Sequence, residues 1–293
     1  MKCVKHSNKL YSLCDSLIHR TGLKPDIIPS GFEIFDADFN GLCCGELTII
    51  ASRPGMGKTS FAMDLALNIS ANWPVLYFTF DLFPTTIASR IIGAKTGISA
   101  YKISGNNIEK PETTMLKEAN ETFKNNSLFI SEDGHLNPKK IKRIIKEHFI
   151  INQIKLVIID DIKLSGKNGH KSLQAKNNEC LFLELKKLAK KLNIAIVVLS
   201  QLKRSVEKRS KDGFPRLSDL KGGRYLDQIA DKILFLYRPE YYAIDKYTNG
   251  YSTENILEVI VAKNKADKTG SCFFERTKGN THFKGLENKL FWV

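Results

Sequence analysis

Residues 51–61, ASRPGMGKTSF, lie between the apolar run ELTIIA and the amphipathic stretch AMDLALNIS. A glycine-lysine-threonine placed between a strand and a helix surrounds an anion with successive backbone N–H groups and a helix N-terminus. Gly55 and Gly57 permit the tight backbone path. Lys58 would reach the β- and γ-phosphates of a nucleoside triphosphate, and Thr59 would place its hydroxyl on Mg²⁺. With Ser52, Arg53, Pro54, Met56 and Ser60 they make a candidate ATP-binding loop. The strict motif asks for glycine where Ser52 stands, but a strand and a helix on the correct sides restore most of the lost specificity.

Mg²⁺ needs a second anchor, normally an Asp closing a neighbouring apolar strand. The run LVIIDD supplies Asp160 and Asp161, whose side chains should point to opposite faces, so that only one can serve. The run VLYFTFD ends in Asp81, which stands either where a carboxylate polarises the attacking water or as a turn residue ahead of Pro84.

Short apolar strands alternating with amphipathic helices must position these groups. The strand candidates are 46–51, 75–80, 127–131, 154–160, 194–200 and 232–237, and between them CLFLELKKLAKKL puts Leu181, Leu185, Leu188 and Leu192 on one helical face. Near-continuous apolar strands separated by helices predict a mostly parallel sheet covered on both sides. The closing runs NILEVIVAK, CFFERT and KLFWV have no helices between them and predict an antiparallel extension at one edge. Residues 8–20 place Leu10, Leu13, Cys14, Leu17 and Ile18 on one face of a short helix stopped by Gly22 and Pro25, which must pack on this chain or on a neighbour.

The 293 residues, 42% hydrophobic, suffice for a large core, and the net charge of +14 favours a polyanionic partner or reflects free use of lysine. The cysteines (Cys3, Cys14, Cys43, Cys44, Cys180, Cys272) lack CxxC pairing and histidine partners at zinc spacing, as expected of reduced thiols in the cytoplasm. No apolar run reaches the roughly 18–20 residues of a membrane span, and the N-terminus lacks a signal-peptide core, so no membrane partner is expected. Two segments, 165–178 and 203–224, break the rhythm as loops. The second carries eight basic and three acidic residues, either a solvated face or a ligand-binding loop leaving a parallel strand.

The runs SRPGMGKTSFAMDLA, VLYFTFDL, LVIIDDIKL, IVVLSQLKRSVEKR, LSDLKGGRYLDQIAD and VIVAKNKADKTG resemble, in order and spacing, the successive motifs of the bacterial replicative DNA helicases, the DnaB-like family. The resemblance implies a RecA-like P-loop ATPase domain over 28–293, with 1–27 as a linker-like helix and connection. It also implies a ring, a hexamer, that hydrolyses ATP at subunit interfaces, moves along single-stranded DNA and works with host replication proteins. By position, Lys58 and Thr59 would bind phosphate and Mg²⁺, Asp160 would join the metal shell, and Gln201 would sense the γ-phosphate. Lys263 and Lys265 would reach into a neighbour's site. Lys203 and Arg204, with Lys221, Gly222, Gly223 and Arg224, would contact the DNA backbone.

Three departures bear on activity. The family's catalytic glutamate aligns with Asp81, shorter by roughly 1.5 Å, although a general base must come within about 3 Å of its proton, directly or through one water. Its arginine finger aligns with Lys265, which lacks the planar fork. Its N-terminal collar domain has no room in this chain. The leading expectation is a helicase of a plasmid, phage or other mobile element. The alternatives are an ATP-binding factor that loads or inhibits another helicase, and a RecA-like recombinase or regulatory ATPase.

Overall fold

The computed structural model describes residues 26–80, 82–132, 138–160, 171–209, 211–265, 267–276 and 282–287, with backbone alone at 132, 171–178 and 224. The 8–20 helix, Asp81, Asp161 and the KLFWV strand lie outside the described residues.

The strands are β1 (Ile27–Ile28), β2 (Leu42–Cys43), β3 (Leu47–Ser52), β4 (Val75–Thr79), β5 (Leu128–Glu132), β6 (Leu156–Asp160), β7 (Ala195–Gln201), β8 (Lys232–Tyr237), β9 (Ile256–Asn264), β10 (Gly270–Arg276) and β11 (Phe283–Leu286). The first two form a small antiparallel pair; the rest form one sheet in the order β11-β10-β9-β8-β3-β7-β6-β4-β5. From β8 to β5 every pairing is parallel, and β9, β10 and β11 add antiparallel strands at one edge. This is the expected RecA-like α/β architecture.

Every residue of β3, β4, β6 and β8 is buried, because helices cover both faces of the parallel body. Successive side chains enter opposite cores: Ile50, Tyr77, Ile158 and Val197 one, Ile49, Leu76, Val157 and Val198 the other. The helix Lys58–Ser70 closes the first core through Phe61, whose ring lies 5.3 Å from Phe32, 5.7 Å from Phe274 and 5.6 Å from Phe283. Leu181, Leu185 and Leu188 of the helix Lys171–Leu192 close the second.

Two sequence expectations change. Residues 171–178, expected to belong to a loop, are the first turns of the helix Lys171–Leu192. That window lacks apolar periodicity but is rich in residues of good helical propensity. Strand β11 has no clear sequence signal: FKGL is short and interrupted by Gly285, and it becomes a strand by pairing with β10 from Phe273↔Leu286 to Arg276↔Phe283.

Candidate ATP-binding site

Strand β3 lies between β7 and β8, so the loop that follows it opens at the middle of the sheet's carboxyl edge. Gly55 and Gly57 adopt φ of +83° and +87°, a left-handed conformation that disfavours any side chain, and the helix opens at Lys58 directly after Gly57. Its first-turn N–H groups therefore project into the loop. At Ser52 the chain is still strand: its carbonyl accepts the Leu202 N–H at 3.0 Å and its hydroxyl donates to the Arg53 carbonyl at 3.0 Å. Glycine is not required there, which explains why the departure from the motif leaves the loop intact.

The register brings Ser52 opposite Gln201 and Thr79 opposite Asp160, so the ends of β3, β7, β6 and β4 share one edge. Lys58 Nζ donates to the Ser200 carbonyl at 3.1 Å. Thr59 Oγ1 donates to Asp160 Oδ1 at 3.3 Å, and the Tyr77 hydroxyl donates to Asp160 Oδ2 at 2.7 Å. Both carboxylate oxygens are thus oriented, and burial first, then the Asp160 charge, drives the Tyr77 phenol well above its ordinary value and keeps it a donor. One hydroxyl beside one buried carboxylate is the kind of oxygen set that holds Mg²⁺ together with waters and substrate phosphates. Among the described residues no three His, Cys, Asp or Glu side chains cluster as a metal cage.

A cleft of about 390 Å³ is lined by Ser52, Arg53, Gly55, Lys58, Thr59 and Gln201, and also by Arg90, Arg238 and Arg276. The three further arginines were missed in the sequence. Arg238 donates to the Gly55 carbonyl at 3.0 Å and to Glu240 Oε1 at 3.0 Å, and Arg276 reaches the same Glu240 oxygen at 2.7 Å. Burial opposes ionisation of Glu240, but the Arg238 hydrogen bond, the Asn255 N–H and both guanidinium charges hold its carboxyl below its ordinary value. Burial and the neighbouring Arg238 charge lower Arg276 despite Glu240. Arg238 had a legible signal, since it directly follows the run KILFLY at the carboxyl edge where β3 also ends. Arg90 and Tyr77 had none, being an ordinary helix position and an interior strand position.

Lys263 and Lys265 do not join this cleft. Register pairs Lys232 with both Thr48 and Asn264, so they lie at the far ends of β9 and β8, about 13 Å of strand from Ser52. Lys263 pairs with Asp227 at 3.3 Å and donates to its carbonyl; Lys265 pairs with Asp231 at 3.4 Å.

The basic segment is folded rather than loose. Leu202 bridges Leu220, the Lys203 N–H donates to the Asp219 carbonyl, and buried Asp219 accepts from Arg209 and from the Arg216 N–H. The Lys203 ammonium donates to the Ser218 carbonyl at 2.9 Å, whereas Arg204, Lys221 and Gly222 are exposed and Gly223 precedes the helix Arg224–Ile229.

No helix among the described residues is long and apolar enough to cross a membrane, and Cys43, Cys44, Cys180 and Cys272 are free thiols. Residues 27–285 match the family described as DnaB-like helicase C terminal domain. The chain is 32% identical over 244 residues to a probable plasmid replicative DNA helicase of Chlamydia psittaci, covering 82% of this chain and 51% of that protein. It is 28% identical over 266 residues to the replicative DNA helicase DnaC of Bacillus subtilis, covering 90% and 57%. It therefore spans about half the length of the curated relatives it matches. Among solved structures, an ATPase domain superposes with a TM-score of 0.80 at 28% identity, over 94% of this chain and 98% of that one. A DnaB-like replicative helicase, solved in a study of its interactions with primase, gives 0.80 at 27% identity over 96% and 68%. With the family match extending over most of its length, the chain belongs to the DnaB-like helicase C-terminal domain family.

Proposed function

We propose that this chain is the ATP-hydrolysing motor of a DNA helicase that moves on single-stranded DNA as a ring, a hexamer, in the cytoplasm. It would serve replication of a plasmid or other mobile element together with host replication proteins. Residues 28–293 form the motor and 1–27 the linker. The observation that carries this reading is the opposed placement of Lys58 and Lys265 at the two ends of the sheet. A chain with its phosphate loop on one edge and its basic finger on the other completes a site only by meeting a second copy.

In this reading the glycine loop and Lys58 hold the β- and γ-phosphates, while Arg238 and Arg276 add positive charge along the cleft. Thr59 and Asp160 would hold Mg²⁺, which when bound neutralises charge on the phosphate oxygens. Asp81 polarises the attacking water, Gln201 senses the γ-phosphate, and a neighbour's Lys263 and Lys265 close the site. Arg204, Lys221 and the Gly222–Gly223 turn face the strand of DNA, with Lys203 and Arg224 beside them.

Steady-state ATP hydrolysis with and without single-stranded DNA tests this reading. Turnover should rise on adding DNA and vanish in a folded Lys58→Ala protein. The aspartate at 81 and the lysine at 265 favour a second reading, a helicase-loading or inhibitory factor. That factor would bind ATP, and its hydrolysis would be slow and indifferent to DNA.

A further inference from the structure

Arg53 belongs to the phosphate-binding loop, yet its guanidinium is engaged by the segment beyond β7. Its Nη1 donates to the Leu202 carbonyl at 3.1 Å, and its Nε donates to Glu207 Oε1 at 2.8 Å. The side chain is 10% exposed and that of Glu207 42%, so the pair is partly withdrawn from water. Glu207 sits in the short helix Ser205–Arg209, immediately after Lys203 and Arg204.

That helix is packed tightly against its neighbours. Val206 and Leu220 are fully buried, Leu202 bridges Leu220, and Arg209 and the Arg216 N–H both bond Asp219. Close-packed groups of this kind shift together rather than deform one by one. On the other side, Arg53 lies two residues before Gly55, whose carbonyl is held by Arg238. Any displacement of Arg53 by a nucleotide in the loop would reach this packed group through two contacts, the Glu207 carboxylate and the Leu202 carbonyl. The path through Gln201 runs in the sheet itself: its strand is paired to β3 from Leu47↔Ile196 to Ser52↔Gln201, and the Leu202 N–H extends that pairing to the Ser52 carbonyl.

We infer that the Arg53–Glu207 ion pair is the link through which the phosphate loop sets the position of the basic 203–221 segment. Both are positioning residues, and the Arg53 guanidinium serves that link, not the phosphate. The consequence for DNA rests on the helicase reading above; the link itself does not.

Two measurements test it. In Glu207→Gln, the DNA-free kcat and the KM for ATP should stay within about twofold, and DNA affinity should be undiminished. Stimulation of kcat by single-stranded DNA should fall about fivefold or more, the lower end of typical coupling between sites. Glu207→Asp, which keeps the charge, should recover part of it. Stimulation that survives in Glu207→Gln, or falls only in step with DNA binding, overturns the proposal. The second measurement needs no DNA. Phe214, whose ring packs 5.4 Å from Tyr237, is replaced in a Phe214→Trp reporter, and its emission is followed on adding a non-hydrolysable ATP analogue. The emission should change in the parent reporter and change at least about fivefold less with Glu207→Gln added. An unchanged response in the double variant, or a silent parent, overturns the link. A response broken by Glu207→Gln in a protein whose turnover ignores DNA sinks the helicase reading and leaves the link standing.

Discussion

Lys265 and Asp231 form a 3.4 Å ion pair at the sheet end opposite Lys58. The two partners are unequal. Asp231 is buried, accepts the Leu47 N–H at 2.8 Å and also pairs with Lys186, whereas the Lys265 side chain is 47% exposed. Asp231 is thus anchored by the fold, and Lys265 rests on it while keeping access to solvent or a neighbouring chain.

Lys265→Ala should therefore cost less than about 1 kcal/mol of stability, since half-exposed ion pairs contribute little. Asp231→Ala should cost about 3–5 kcal/mol by leaving Lys186 and the Leu47 N–H without their carboxylate. Denaturant unfolding of both proteins measures the difference; equal losses would make Lys265 a structural residue.

If Lys265 acts on a neighbour's phosphate, Lys58→Ala and Lys265→Ala proteins should each be inactive alone and regain hydrolysis when mixed. Mixed interfaces can combine an intact Lys58 from one chain with an intact Lys265 from the next. Absence of recovery in mixed oligomers shown to form by mass measurement would remove the shared-site reading. Lys265→Arg should raise turnover, because arginine fingers contribute about 10³–10⁵ in rate where measured.

Neutralising Lys221 and Arg224 together should weaken single-stranded DNA binding and reduce the slope of log K against log salt by about 1.4, as for two phosphate contacts. Neutralising Lys139 and Lys140, exposed at the start of the helix Pro138–Asn152, should leave that slope unchanged. Fluorescence anisotropy across a salt series separates the two, and equal slopes would make the basic segment ordinary solvated surface.

Tyr77→Phe deletes the donor that orients Asp160 without touching Thr59. Partners that orient a metal-binding carboxylate commonly contribute 10–100-fold in affinity, so the Mg²⁺ concentration for half-maximal hydrolysis should rise about tenfold or more. An unchanged Mg²⁺ titration would mean that Asp160 needs no such support.

His282 clasps β11 to the phosphate-loop helix: its Nδ1 lies 2.8 Å from buried Asp64, which also accepts the Phe283 N–H at 2.7 Å. The hydrogen bond to Asp64 raises the imidazole above its usual 6.5, against burial and the nearby charge of Lys95. A raised histidine stabilises fully below about pH 6.5 and loses that contribution as pH climbs through the folded value. Unfolding free energy, measured by denaturant titration, should therefore fall between pH 6 and 8.5 more in the parent than in His282→Gln, by under about 1 kcal/mol for this half-exposed group. Parallel curves would show that folding leaves the titration of His282 unshifted.

By itself the sequence determined the parts whose cause is local. Gly55 and Gly57 need positive φ, the apolar runs need cover on two faces, and Asp160 ends such a run; each is decided within a few residues. Tertiary structure alone decided which distant groups meet. Strand order does not follow chain order: β3 lies between β7 and β8, so Ser52 meets Gln201, Gly55 meets Arg238, and Arg53 meets Glu207 across about 150 positions. The same order sends Lys265 to the edge away from Lys58, and pairing with β10 makes a strand of 283–286. Pairing between residues so far apart depends on which edges remain open once the sheet is assembled, and no local pattern encodes that.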